Sequence, residues 1–124
     1  MNTRYDSSEN HDLLKRTKEF AYACIRIAAS VIKNDPLGQI ASRQLIRCGT
    51  SVAANYRAAF IAPSRKSFGA KLSICAEEAD ESAFWLDVIR DHSLSKLNID
   101  NSYKEAIELK RIFIASRKKI ALSS

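Results

Sequence analysis

Glycine and proline are scarce in this chain, at 3 and 2 of 124 residues, which leaves little material for the turns a β architecture needs. Long apolar runs are missing as well. The longest uncharged stretch, Cys48 to Tyr56, falls far short of the roughly 20 residues of a membrane span. The opening "MNTRYDSSENHD" has no apolar core and no cleavage signal, so a cytoplasmic protein with no membrane association is expected. Cys24, Cys48 and Cys75 are widely separated, with no C-x-x-C and no histidine close enough to complete a zinc set, and they are expected as small buried thiols in helix seams. His11 stands in the polar leader and His92 near a helix end, each without a partner to orient it. No nucleophile–base pair, phosphate loop or metal cluster emerges. No catalytic residue, metal site or cofactor is therefore expected, and an enzyme is not the favoured reading.

What remains is helical material. A chain of 124 residues with 46% hydrophobic and 27% charged residues suits one folded domain over 1–124, large enough to bury a core without disulfides. Asp35-Pro36 reads as a cap followed by proline in a first turn. Pro63-Ser64 reads as a stop followed by a cap, and Asp100 as the cap of a last helix. The helices are predicted at 8–34, 36–62, 64–92 and 100–121.

Apolar and small residues step by three and four along each of them. The first helix offers Leu14, Thr17, Ala21, Cys24, Ala28 and Val31, and the second Ala41, Leu45, Cys48, Val52, Asn55, Ala59 and Ala62. The third carries Phe68, Leu72, Cys75, Ala79, Ser82, Leu86 and Ile89, and the fourth Ala106, Leu109, Phe113, Ser116 and Ile120. Matching seams joined by short turns predict an all-α, up-down-up-down antiparallel four-helix bundle. Further stripes, Leu13 with Phe20 and Ile27, Ile25 with Ile32, and Ile74 with Trp85 and Val88, exceed what four helices bury. They are expected on a surface that a homo-oligomer covers.

"RCGTSVAANYRAA", Arg47 to Ala59, is built of small residues that cost helix propensity, up to about 1 kcal/mol for glycine against alanine. Gly49, Ser51, Ala53, Ala54 and Ala58 leave the backbone uncovered, so another helix is expected to approach closely there. Asn55, placed in the seam, is expected to find partners for a buried amide and to fix register.

Charge is unevenly placed. From Pro36 to Ala76 there is no acid, and the six bases of that segment account for the whole formal charge of +6. The run "EEADE" follows directly. If the second and third helices fold back at Pro63, Arg47 meets Glu78 or Glu81, half buried in the stripe that includes Trp85, and loss of either partner of such a pair is expected to cost several kcal/mol. Two carboxylates at i and i+3 also suit half of a di-metal site, but the Glu-x-x-His companions on other helices are missing. Arg57, Arg65, Lys66 and Lys71 face no evident acid, and the tail adds Arg117, Lys118 and Lys119. These seven are the candidate phosphate-binding face, against the simpler reading of a solvated helical surface.

"QLIRCGTSVAANYRAA" and "SRKSFGAKLSICAEEADESAFWL" resemble the bacterial family of 23S ribosomal RNA intervening-sequence proteins, the S23-like bundles. The shared pattern falls on Gln44, Leu45, Arg47, Ser51, Val52, Ala54, Asn55, Phe68, Lys71, Leu72, Glu78, Glu81, Trp85 and Leu86. Many members carry Glu-Gly after the asparagine, where this chain has Arg57 and Ala58 following Tyr56. The resemblance implies a ring-like homopentamer without catalytic activity. It extends to the accessory variability determinant of diversity-generating retroelements, a bundle that binds nucleic acid and a reverse transcriptase through a basic surface.

Residues and resemblance together lead to a non-enzymatic oligomeric binding or scaffold protein whose expected ligand is structured RNA or DNA. Arg47, Gly49, Ser51, Ala54, Asn55, Glu78, Glu81 and Trp85 are expected to serve architecture and assembly. The alternative is a protein-binding adaptor with no nucleic-acid role.

Overall fold

The computed structural model describes residues 8–122 and contains four α-helices: α1 (Ser8–Ser30), α2 (Pro36–Phe60), α3 (Arg65–Asp91) and α4 (Asp100–Leu122). Each helix packs along its neighbours in sequence, and α4 closes the ring of contacts against α1, the side on which helices meet least. Contacting pairs run in opposite directions on adjacent helices. Arg47 meets Glu78 and Glu81 across α2 and α3, and Arg16 reaches Glu105 across α1 and α4. The result is an all-α, up-down-up-down four-helix bundle.

The helix ends follow from local chemistry. The Gly38 amide donates to Asp35 Oδ1 at 2.9 Å, with Pro36 in the first turn where its missing N–H is harmless. At the start of α3 the Ser64 and Ser67 side chains each accept from the other's backbone amide. α1 ends at Ser30, four residues before its predicted limit. The chain there turns to the opposite loop, where the Ile32 amide donates to the Leu94 carbonyl at 3.0 Å and the Ser30 and Ser95 hydroxyls meet at 2.6 Å. Asp100 is not the cap of α4. The side chain of Asn98 takes the Asp100 amide at 2.9 Å, and Asp100 accepts from Arg90 instead.

The core follows the predicted seams with two corrections. Leu13, Phe20 and Ile27 are buried inside the bundle, and Leu14 is only half buried, so the inner face of α1 is wider than a single seam. These three side chains are not a surplus for a partner. In α2 the seam passes through Tyr56, 1% exposed, instead of Asn55. The tyrosine ring lies 5.8 Å from that of Phe113 and its hydroxyl donates to Asn10 Oδ1 at 3.1 Å, so a large apolar body is buried with its polar tip satisfied. Asn55 sits half buried and donates back to the Ser51 carbonyl and hydroxyl at 2.9 and 2.8 Å. Each fully buried large aliphatic or aromatic side chain contributes roughly 1.5–3 kcal/mol of transfer free energy.

Buried polar groups are satisfied locally. The Thr17 hydroxyl donates to the Leu13 carbonyl at 2.7 Å and the Ser82 hydroxyl to the Glu78 carbonyl at 2.8 Å. The three cysteines are free and buried, as expected. Desolvation raises all three thiols, Cys75 to about 12, which keeps them protonated and unreactive.

Candidate nucleic-acid interface

The first turn of α3 and the last turns of α4 stand side by side, because the two helices are antiparallel neighbours. Arg65 and Lys66 come from the former and Arg117 from the latter. They line a cavity of about 350 Å³ together with Gly69, Ile120 and Ala121. Gly69 is buried, and a Cβ built on it would lie 3.0 Å from Arg117 Nη1 and 3.6 Å from its Cδ. The missing side chain therefore lets Arg117 lie close against α3 in the lining of the cavity.

The remaining sequence-derived cations spread outward from this point. Lys119 lines a smaller cleft of about 130 Å³ beside Asn10, Tyr56 and Ser116, and Lys118 is exposed on the same last turns of α4. Lys71 lies half buried farther along α3. Arg57 is on the flank, in a groove of about 760 Å³ between α1 and α2 that also holds Lys15, Lys18 and His11. The His11 ring stacks edge-on against Phe60 at 5.0 Å. Lys15 and Lys18 were not singled out from the sequence, because their segment is balanced in charge. Their spacing of three on a helix is the signal that puts them on one face.

Ion pairing divides the cations into two sets. Arg16, Arg47, Arg90 and Lys110 are held by carboxylates. Among the described residues, none of Arg57, Lys66, Lys71, Arg117, Lys118 and Lys119 stands in an ion pair. Glu9 shares the cleft of Lys119, so charge is partly balanced there, whereas unpaired positive charge of the kind Lys66 and Arg117 carry is what a polyanion surface uses.

The second constellation is architectural. Arg47 donates from Nη1 to Glu78 at 3.2 Å, from Nη2 to Glu81, and from Nε to Gln44 at 3.0 Å. Trp85 Nε1 donates to the same Glu81 carboxylate at 3.3 Å, and its ring meets Phe84 edge-on at 4.9 Å. The hydrogen bond that Arg47 donates to Glu81 holds its guanidinium above the usual arginine range. The expected pairing is thus present with both glutamates at once. Its strength is a correction, since Arg47 is 49% exposed and a solvent-screened pair contributes about 0–1 kcal/mol instead of several.

The small residues of α2 also part company. A Cβ on Gly49 would stand 2.7 Å from Cys24, so α1 makes the anticipated close approach there. Ser51 is half buried. Ala54 is exposed and forms no tight contact within the chain; it lines the α1–α2 groove with Ala53. His92 ends α3, with Nδ1 3.0 Å from the Val88 carbonyl. Among the described residues no three metal-ligating side chains cluster, and no helix is long and apolar enough to cross a membrane.

A family model described as 23S rRNA-intervening sequence protein matches residues 9–115. The chain belongs to that family. Its structure is similar to that of a protein of unknown function from the S23 ribosomal protein family of Bacteroides thetaiotaomicron. The TM-score is 0.75 at 26% identity, over 88% of this chain and 97% of that one. No curated protein matches it.

Proposed function

We propose that this chain is a non-enzymatic, self-associating scaffold that binds structured RNA or DNA through the basic end of its bundle. The observation that carries the reading is the convergence of Arg65, Lys66 and Arg117 on one cavity, with Lys119 and Arg57 nearby and most of these cations outside any ion pair. Phosphate neutralisation supplies most of the affinity of such surfaces, and the released counterions make it salt-dependent. The resemblance to the accessory variability determinant, which binds nucleic acid through a basic surface, supports the same direction.

Self-association is supported by apolar side chains left in solvent, among them Ile25, Ile32, Ile46 and Phe84. A ring-like homopentamer, as the family resemblance implies, repeats the basic end around the assembly and strengthens binding through avidity. The reading places the protein in the cytoplasm, where three free buried thiols stay reduced. The second reading, a protein-binding adaptor, is supported by the apolar floor of the α1–α2 groove with exposed Ile61 at its end.

Fluorescence anisotropy with a labelled RNA hairpin, titrated at several salt concentrations, tests the choice. Affinity that falls steeply as salt rises is expected. No binding at low salt favours the adaptor. Light scattering of the same sample gives the assembly mass.

A further inference from the structure

Two outward faces of the bundle hold apolar side chains in solvent, and they differ in charge. The first runs along α1, where Lys18, Tyr22, Ile25 and Ala29, with Ile32 just past the helix end, step by four and three and are all exposed. Arg43 and Ile46 of α2 continue it. Arg43 lines a groove of about 270 Å³ with Ala29 and Ile32, and exposed Ile46 follows three residues along the helix. Lys18 lies over the Tyr22 ring at 5.8 Å, and among the described residues neither it nor Arg43 stands in an ion pair. The second face runs along α3, where Ile74, Glu77, Glu81, Phe84, Val88 and Asp91 step by three and four. Phe84 stands in it 56% exposed, and Glu77 is outside any ion pair among the described residues. From Leu72 to Ile89 the helix has no basic residue.

We propose that the α1–α2 face of one copy docks on the outer face of α3 of the next, head to tail, with Phe84 as the aromatic anchor against Tyr22, Ile25 and Ile46. The proposal rests on the self-association read above and deepens it by naming the two faces and their polarity. Charge decides the pairing. The α1–α2 face laid on itself brings cation to cation, and the α3 face laid on itself brings carboxylate to carboxylate, an arrangement that opposes association. The unlike pair covers both apolar stripes and sets Lys18 and Arg43 against the carboxylates of α3. A large aromatic side chain in the middle of such a patch, with charges at its rim, is the usual distribution of binding energy in an interface. α1 and α3 are diagonal in the bundle and do not pack on each other, so one copy presents both faces at once to two neighbours. A contact between different faces is heterologous, and it builds a ring or a filament instead of a two-fold dimer.

Complementation between two variants, read as mass by light scattering, tests the polarity. Ile25→Glu removes the α1–α2 face and Phe84→Lys the α3 face. Both side chains are exposed, so both variants are expected to keep the helical circular dichroism of the wild type. Each alone is expected to have the mass of one chain. An equimolar mixture is expected to have the mass of two, because one intact face of each kind remains and the series of contacts ends there. Ile46→Glu and Ile74→Lys are a second pair on the same faces, read in the same way if either of the first fails to fold. Wild-type mass retained by one or both variants overturns the head-to-tail pairing and leaves self-association standing, as do two monomers that fail to combine on mixing. A wild-type protein with the mass of one chain at every concentration overturns self-association and the pairing together, and leaves the α1–α2 face to a different protein.

Discussion

A Cβ placed on Gly49 would stand 2.7 Å from both Cβ and Sγ of Cys24, so the second helix can meet the first at this level only because residue 49 has no side chain. The small-residue character of "RCGTSVAANYRAA" finds its reason here. Gly49→Ala gains up to about 1 kcal/mol of helix propensity but forces the helices apart, an overpacking that costs about 1–3 kcal/mol. A net loss of about 1–2 kcal/mol is expected in urea unfolding. A variant more stable than wild type would contradict the close approach.

Ser93 has φ 52°, the left-handed region that costs a side-chain-bearing residue about 1–2 kcal/mol. It holds the end of α3, where the Leu94 amide donates to the Ile89 carbonyl at 3.0 Å and the Ser93 amide to that of Arg90 at 3.1 Å. Leu94 and Ile89 are both buried beside it. Glycine takes this conformation without penalty. Ser93→Gly is expected to raise stability by about 1 kcal/mol, read as a higher urea midpoint at unchanged slope.

The thiols set an alkaline limit. Burial raises Cys75 to about 12 and moves Cys24 and Cys48 in the same direction, whereas an unfolded thiol titrates near ~8.5. The unfolded chain therefore loses protons first as pH rises, and the native state binds more protons than the unfolded one. Stability is fully present below about pH 8.5 and falls as pH climbs toward 12, at up to ~1.4 kcal/mol per pH unit for each thiol. Equilibrium unfolding from pH 7 to 10.5 checks this. Cys75→Ala is expected to make the decline shallower, and a flat profile would contradict burial of the thiols.

Ala54 separates packing from assembly. It is exposed within the chain, so Ala54→Leu is expected to leave monomer stability within about 0.5 kcal/mol of wild type. If the α1–α2 groove is covered in the oligomer, the same variant lowers the assembly mass seen by light scattering. A large loss of stability without change in mass would place a tight contact inside the chain instead.

The bundle was legible because its signals are local and repetitive. Two Pro-containing caps, at Asp35 and Ser64, mark boundaries wherever the chain happens to pack, and every step of three and four in α3 falls on its buried face, to which Gly69 and Ala83 also belong. The errors arose where a tertiary neighbour decides. Periodicity allows either Asn55 or Tyr56 to follow Val52, and only the position of Phe113 and Asn10 selects the tyrosine. Leu13, Phe20 and Ile27 read as surplus because a seam was assumed to be one residue wide, yet α1 faces both α2 and α4. The Arg47 pair was readable from charge alone, but its solvent exposure, which sets its strength, depends on how the side chains lie over the surface. The cavity of Arg65, Lys66 and Arg117 joins residues 52 positions apart and had no signature beyond unmatched charge.

The salt dependence of duplex DNA binding by a protein neutralised at Arg57, Lys66, Arg117 and Lys119 tests the central claim most directly. Each lost phosphate contact lowers the steepness of the log–log plot by roughly 0.9, so a drop of about 2–4 is expected against wild type. Lys33→Gln with Lys96→Gln, at the opposite end of the bundle, is expected to leave the plot unchanged. An identical slope for the neutralised protein, or an equal drop for the opposite-end variant, would contradict nucleic-acid binding through this basic end.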